Sequence, residues 1–249
     1  MKLPLKTRKE VAEKALSRIN GRIPIILHVG TQSTKTTLEL VEHSTSFDVD
    51  ALSAVGPFFY KPDLRGLIQH YKRMSRATDV PLVVYNNRGR QGYNIGPDKF
   101  GRIADEVESI VGIKDTSHSI EQTQEFVRRF GDEYDIFGAG DALIYSNFAI
   151  GCKGHISLVS NPFPELSSRL WKKMSEGEFA EAREIQFRIN EIRNLLKQGP
   201  PLAPYKEILN MRGIDMGEMS SPLRSMDEEE KDSMRNELRK IGVDVDVWK

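Results

Sequence analysis

The sequence predicts an α/β fold built on a parallel sheet, and three observations carry that prediction. Short apolar runs alternate with helical stretches over the first two thirds of the chain, and strict alternation makes a parallel sheet, either doubly wound or closed into a barrel. The runs are continuous rather than alternating, as in Ile23-Pro24-Ile25-Ile26-Leu27-His28-Val29, which suits strands buried on both faces. Successive runs start roughly 20–30 residues apart, the span of a β-loop-α-loop unit. The length of 249 residues also lies near that of an eight-unit (β/α) barrel.

The elements follow in order. Thr7-Arg8-Lys9-Glu10 reads as a capping-box start for a first helix, with Val11, Ala15, Leu16 and Ile19 at helical spacing and Asn20-Gly21 as the stop. After the strand that ends at Gly30, further strands are predicted over 51–56, 81–85, 110–114, 135–137 and 155–159. Helices are predicted between them over 36–46, 64–77, 97–107, 120–130 and 142–150. Beyond about residue 163 the alternation stops, and helices are predicted over 166–174, 179–196, 202–211 and 226–241. The last of these carries Ser225-Met226-Asp227-Glu228 as its capping box, and Gly199-Pro200-Pro201 and Ser220-Ser221-Pro222 punctuate the series. The expected organisation is therefore a barrel-like part over 1–163 and a helical region over 164–249. Trp171 and Phe179 read as core or subunit-contact anchors.

Composition narrows the function. The chain balances 36 Lys+Arg against 36 Asp+Glu, which argues against a dedicated nucleic-acid binder, and its 39% hydrophobic residues suffice for a packed core. Cys152 is the sole cysteine, so no intrachain disulfide is possible. No apolar run approaches a membrane span, and the first residues lack a secretory apolar stretch, so a soluble, cytoplasmic protein is expected.

The sharpest local feature is Ile110-Val111-Gly112-Ile113-Lys114-Asp115-Thr116. Lysine is rarely placed at the end of an apolar strand, because burying an ammonium is costly. In parallel α/β sheets the carboxyl ends of strands are where active sites form. Desolvation there lowers an amine's pKa and exposes a nucleophile for a carbonyl. Spacing alone allows equally a solvated lysine or one paired with Asp115. One βα unit earlier, Tyr85 also falls at a strand end, where a phenol can shuttle protons beside Lys114; a half-buried packing tyrosine fits the same position. Arg88 and Arg90 in the following loop suit a carboxylate substrate, and equally suit solvent.

Other constellations are weaker. Gly138-Ala139-Gly140 lacks the full spacing of a dinucleotide loop and reads as a tight turn. His28, His118 and His155 show no paired ligand spacing with Asp115, so no metal is expected. His155 reads as a strand histidine with a satisfied hydrogen bond.

Val84-Tyr85-Asn86, Arg90-Gln91-Gly92 and Val111-Gly112-Ile113-Lys114-Asp115-Thr116, in this order, resemble the dihydrodipicolinate synthase/N-acetylneuraminate lyase family of pyruvate-handling class I aldolases. Gly21-Arg22-Ile23-Pro24-Ile25, Pro57-Phe58-Phe59-Tyr60, Lys153-Gly154-His155-Ile156-Ser157 and Glu176-Gly177-Glu178-Phe179-Ala180-Glu181-Ala182 extend the likeness through nearly the whole chain. The resemblance implies a TIM (β/α)8-type barrel with a C-terminal helical region, assembled as a homo-oligomer, a dimer or tetramer. It implies a small-molecule 2-oxo acid substrate, with neither nucleic acid nor membrane as partner and no cofactor. Lys114 would form a Schiff base with pyruvate, and Tyr85 would relay protons. Arg90 would meet a second substrate's carboxylate, and the backbone at Ile156 and the turn at Gly138 would border the site.

Two departures stand out. The family's Gly-Thr/Ser-Thr-Gly-Glu loop is not found, and residue 1 aligns just before the family's second helix, which leaves about six of the usual eight strands. Phe59 stands where many members place a relay tyrosine. The expected function is a Schiff-base aldolase or lyase forming or cleaving a C–C bond. The alternative is a catalytically impaired homologue that keeps the fold as a binding or structural protein.

Overall fold

Strand and helix alternate as the apolar runs predict. The computed structural model describes residues 3–245, in which the elements are α1 (Leu5–Ile19), β1 (Ile26–His28), α2 (Thr34–Ser44), β2 (Ala51–Val55), α3 (Leu64–Ser75), β3 (Leu82–Asn86), α4 (Arg88–Gln91), α5 (Pro97–Glu106), β4 (Ile110–Asp115), α6 (Ile120–Phe130) and β5 (Asp135–Ala139). A 3-10 turn (Asp141–Leu143), α7 (Ile144–Ala149) and β6 (Gly154–Ile156) follow, and then α8 (Pro164–Ser175), α9 (Phe179–Leu196), α10 (Ala203–Met211) and α11 (Glu228–Lys240). The sheet has six strands among the described residues, in the order β1-β2-β3-β4-β5-β6, and the registered pairs from β1 to β5 are all parallel. Sequential parallel neighbours with helical crossovers are the arrangement of a (β/α) barrel sheet, the expected fold class.

The chain divides into two compact units. The first comprises Met1–Gly138 and Ile150–Gly154, the second Ala139–Ala149 and His155–Lys249. In the first, aliphatic residues of the strands, among them Leu52, Leu82, Val84, Ile113 and Ile136, form one core with Tyr71, Phe100 and Phe126. Phe100 meets Phe126, Phe130 and Tyr134 edge-to-face at 5.2–5.7 Å, the geometry favoured by opposed ring quadrupoles. Gly112 permits the close approach of β4 to β5: a Cβ there would lie 2.2 Å from the Asp135 carbonyl oxygen.

The second unit is built from the α7–α11 helices. Ile185, Ile189, Ile192 and Leu196 recur on one face of α9 and pack with Leu170, Met174, Ile208 and Leu238. Trp171 packs against this core, its ring edge-to-face with Phe148 at 4.6 Å, whereas Phe179 is exposed.

Several boundaries differ from the sequence prediction, each for a local reason. Helix α1 starts at Leu5 behind Pro4, whose ring presets the helical entry and which has no N–H to satisfy, so the Thr7–Glu10 box does not form. The final capping box is Asp227 with Glu230, not Ser225 with Glu228. Asp227 accepts from the Glu230 amide, Glu230 reaches back to the Asp227 amide, and Ser225 Oγ is engaged by the Met219 N–H. The stretch 142–150 breaks into a 3-10 turn and a short helix, and α4 adds a helical turn where a plain loop was expected. Among the described residues, no helix is long and apolar enough to cross a membrane.

Candidate active site

The strand ends of the first unit carry the expected tyrosine and lysine. Strands β3 and β4 pair with Tyr85 opposite Lys114 and Asn86 opposite Asp115. Because side chains alternate along a strand, Tyr85 and Lys114 share one side of the sheet, and Asn86 and Asp115 share the other. The two pairs meet opposite environments: Tyr85 and Lys114 are half-buried, while Asn86 and Asp115 are buried.

On the open side, Lys114 Nζ stands 3.9 Å above the centroid of the Tyr85 ring. The edge of His28, the last residue of β1, meets the same ring at 5.8 Å and 85°. His28 Nε2 accepts the Val55 N–H at 3.3 Å, while Arg8 Nη2 lies 3.4 Å from its Nδ1. Burial first, then Arg8 and then Lys114, push the His28 pKa down to about 3, so the ring is neutral over the physiological range. Arg8, on α1, is fixed by donating to the carbonyls of Gly30 at 3.0 Å and His28 at 2.8 Å. Asn87 Nδ2 donates to the Tyr85 hydroxyl oxygen at 2.8 Å.

On the closed side, Asp115 is 2% exposed, and both of its carboxyl oxygens are occupied. Oδ1 accepts from Asn86 Nδ2 (2.8 Å), the Ser117 N–H (3.1 Å) and Gln122 Nε2 (3.1 Å). Oδ2 accepts from Ser117 Oγ (2.6 Å) and Thr123 Oγ1 (3.1 Å). Asn86 also donates to Asn94, and its Oδ1 accepts from Gln91 Nε2 and the Ile95 N–H. Among the arrangements the spacing allowed, pairing of Lys114 with its neighbour Asp115 does not occur: the carboxyl faces a polar knot that clamps the ends of β3 and β4.

The remaining expected residues differ in exposure. Arg90 is exposed on α4, and Gly138 is buried in β5. Ile156 ends β6 in the second unit and is 41% exposed. There Asp141 Oδ1 accepts from Ser157 Oγ and from the amides of Leu158 and Val159, fixing the turn that follows. His155 sits within reach of Asn147 and of the Gly140 carbonyl, as the satisfied strand histidine was expected to. Phe59 takes φ +79°, a region costly for a residue with a Cβ, and projects 85% exposed beside Tyr60. Sequence reading missed Arg8 and Asn87. Arg8 gave no signal, because its partners are backbone carbonyls at and just past the end of β1; the Asn86-Asn87 doublet at a strand end was the available cue for Asn87.

The chain matches the model of the dihydrodipicolinate synthetase family over residues 1–241. It is 31% identical to an uncharacterised DapA-like lyase of Halobacterium salinarum, over 95% of this chain and 77% of that protein. The crystal structure of dihydrodipicolinate synthase from Aquifex aeolicus superposes with a TM-score of 0.89 at 29% identity, covering 97% of this chain and 83% of the other. A catalytic-lysine mutant of the Ruminococcus gnavus sialic acid aldolase superposes with a TM-score of 0.90 at 26% identity, covering 97% and 80%.

Proposed function

The chain belongs to the dihydrodipicolinate synthetase family, whose members act as aldolases and lyases, and from that premise we propose that it is a Schiff-base enzyme acting on pyruvate or a related 2-oxo acid. The observation that carries this reading is Lys114 Nζ held 3.9 Å over the Tyr85 ring at the paired ends of β3 and β4. The Lys114 amine adds to the ketone carbon, water leaves, and the resulting iminium nitrogen draws electrons from the adjacent C–C or C–H bond. Tyr85 supplies and removes protons at the carbinolamine and at C3. Arg90 meets the carboxylate of the second substrate, and Gly138 borders the bound 2-oxo acid. A dihydrodipicolinate synthase-like condensation and cleavage of a 2-keto-3-deoxy sugar acid both fit this chemistry. The exposed Phe59 and Tyr60 favour assembly as a homo-oligomer.

Borohydride reduction in the presence of pyruvate, read by peptide mass spectrometry, tests the reading. A reduced adduct on Lys114 that disappears in Lys114→Arg is expected; a wild-type chain without an adduct at Lys114 overturns it. The second reading, a homologue that binds a 2-oxo acid without turnover, is favoured by Phe59, which has no hydroxyl to extend a proton relay. Trapping at Lys114 without aldol or retro-aldol activity across acidic aldehydes and sugar acids is the outcome that selects it.

A further inference from the structure

We infer that Asn87 is a positioning residue for proton transfer by Tyr85, an inference that rests on the Schiff-base reading above. The Tyr85 ring plane is set by Lys114 above its face and by the edge of His28. Neither contact sets the direction of the hydroxyl. Asn87 does: its Nδ2 donates to the phenolic oxygen at 2.8 Å, and among the described residues no acceptor engages the hydroxyl hydrogen of Tyr85. The oxygen therefore has one lone pair occupied, and its hydrogen is left for a group on the bound ligand.

Asn87 is itself held. Its N–H donates to Gln91 Oε1 at 3.3 Å, and its carbonyl accepts from the amides of Arg90 and Gln91 at 2.9 and 2.8 Å, as the N-cap of α4. Its neighbour Asn86 is locked in the Asp115 knot. The amide thus comes from a preorganised turn, and reaching the phenol costs little side-chain entropy. In the step it supports, the C3–H bond of the iminium adduct breaks. The Tyr85 phenol has by then given its proton to the carbinolamine hydroxyl, which leaves as water; the resulting phenolate takes the C3 proton, the electron pair enters the new C2–C3 double bond, and the iminium nitrogen becomes neutral. Reprotonation of C3 by the phenol reverses this.

Exchange of the pyruvate C3 hydrogens with D2O, followed by proton NMR on the full chain, isolates that step from imine formation. Asn87→Asp keeps the size and N-cap competence of the residue but replaces the donor with an acceptor, and Asn87→His restores a ring N–H donor. At saturating pyruvate, Asn87→Asp is expected to keep the borohydride adduct on Lys114, with unchanged half-saturation, while C3 exchange falls about tenfold or more, the equivalent of one hydrogen bond to a charged group. Asn87→His is expected to recover most of the rate. Exchange at the wild-type rate in a folded Asn87→Asp, or a loss in Asn87→Asp that Asn87→His does not repair, overturns the role of Asn87 and leaves the Schiff-base reading intact. A wild-type chain that traps no pyruvate on Lys114 overturns both.

Discussion

The two units bury polar groups to different extents. The first buries them: Asn86, Gln91, Asp115, Ser117 and Thr123 lie inside it, satisfied by one another at the ends of β3 and β4. The second fills its interior mainly with the aliphatic stripe of α9 and its neighbours, buries a smaller polar set around Asp141, Asn147 and Gln186, and carries charge pairs such as Lys231–Glu228 and Lys240–Glu237 of α11 at its surface. A buried polar knot costs desolvation that only complete hydrogen bonding offsets, so it stabilises less than an apolar core of equal volume. What it provides is direction. Hydrogen bonds fix angles as well as distances, and the first unit is where Tyr85 and Lys114 stand together on adjacent strands.

The contrast can be broken from either side. Asp115→Ala strips five donors of their acceptor and is expected to cost about 3–5 kcal/mol in urea unfolding, with Asp115→Asn costing visibly less. Equal losses in the two variants would mean that the shape Asn keeps counts for nothing and that the knot needs both carboxylate acceptors. In the second unit, Ile189→Ala is expected to cost about 2–4 kcal/mol and Ile189→Leu under about 1.5 kcal/mol, because there volume alone is at stake. A severe loss in Ile189→Leu would remove the distinction between the units.

A smaller effect comes from pH. His70 is buried on α3, its Nδ1 bonded to Thr34 Oγ1, and burial pushes its pKa down to about 4. The folded state therefore refuses a proton that the unfolded chain takes near pH 6.5. That contribution is present above pH 6.5 and is lost as pH falls towards about 4; at pH 5 the linkage amounts to about 2 kcal/mol relative to pH 7. His28 acts in the same direction. His70→Gln is expected to flatten the stability–pH curve between pH 7 and 5, and an unchanged slope would assign it elsewhere. Least of all, Arg128→Ala removes an exposed pair with Glu125 and is expected to leave the denaturation midpoint unmoved.

Much of this architecture was legible. The α6 and α9 helices coincide with their predicted spans, and each strand falls on a predicted apolar run, because periodicity and capping are local properties. The ends were less legible. Pro4 displaced the start of α1, and Asp227 displaced that of α11, since several residues compete to cap one helix and the geometry of the preceding chain selects among them.

The sequence by itself determined that Tyr85 and Lys114 end successive strands of a parallel sheet. Composition, apolar runs and motif order suffice for that, since each is read within a few tens of residues. Tertiary structure alone decided what surrounds them. The register that sets Tyr85 against Lys114 turns Asp115 away into the knot with Asn86 and Gln122. It also brings the His28 edge onto the Tyr85 ring, while Arg8 secures the strand end from α1. Those partners lie up to 57 residues apart in sequence, and their approach follows from packing the whole sheet and its helices, which no local pattern encodes.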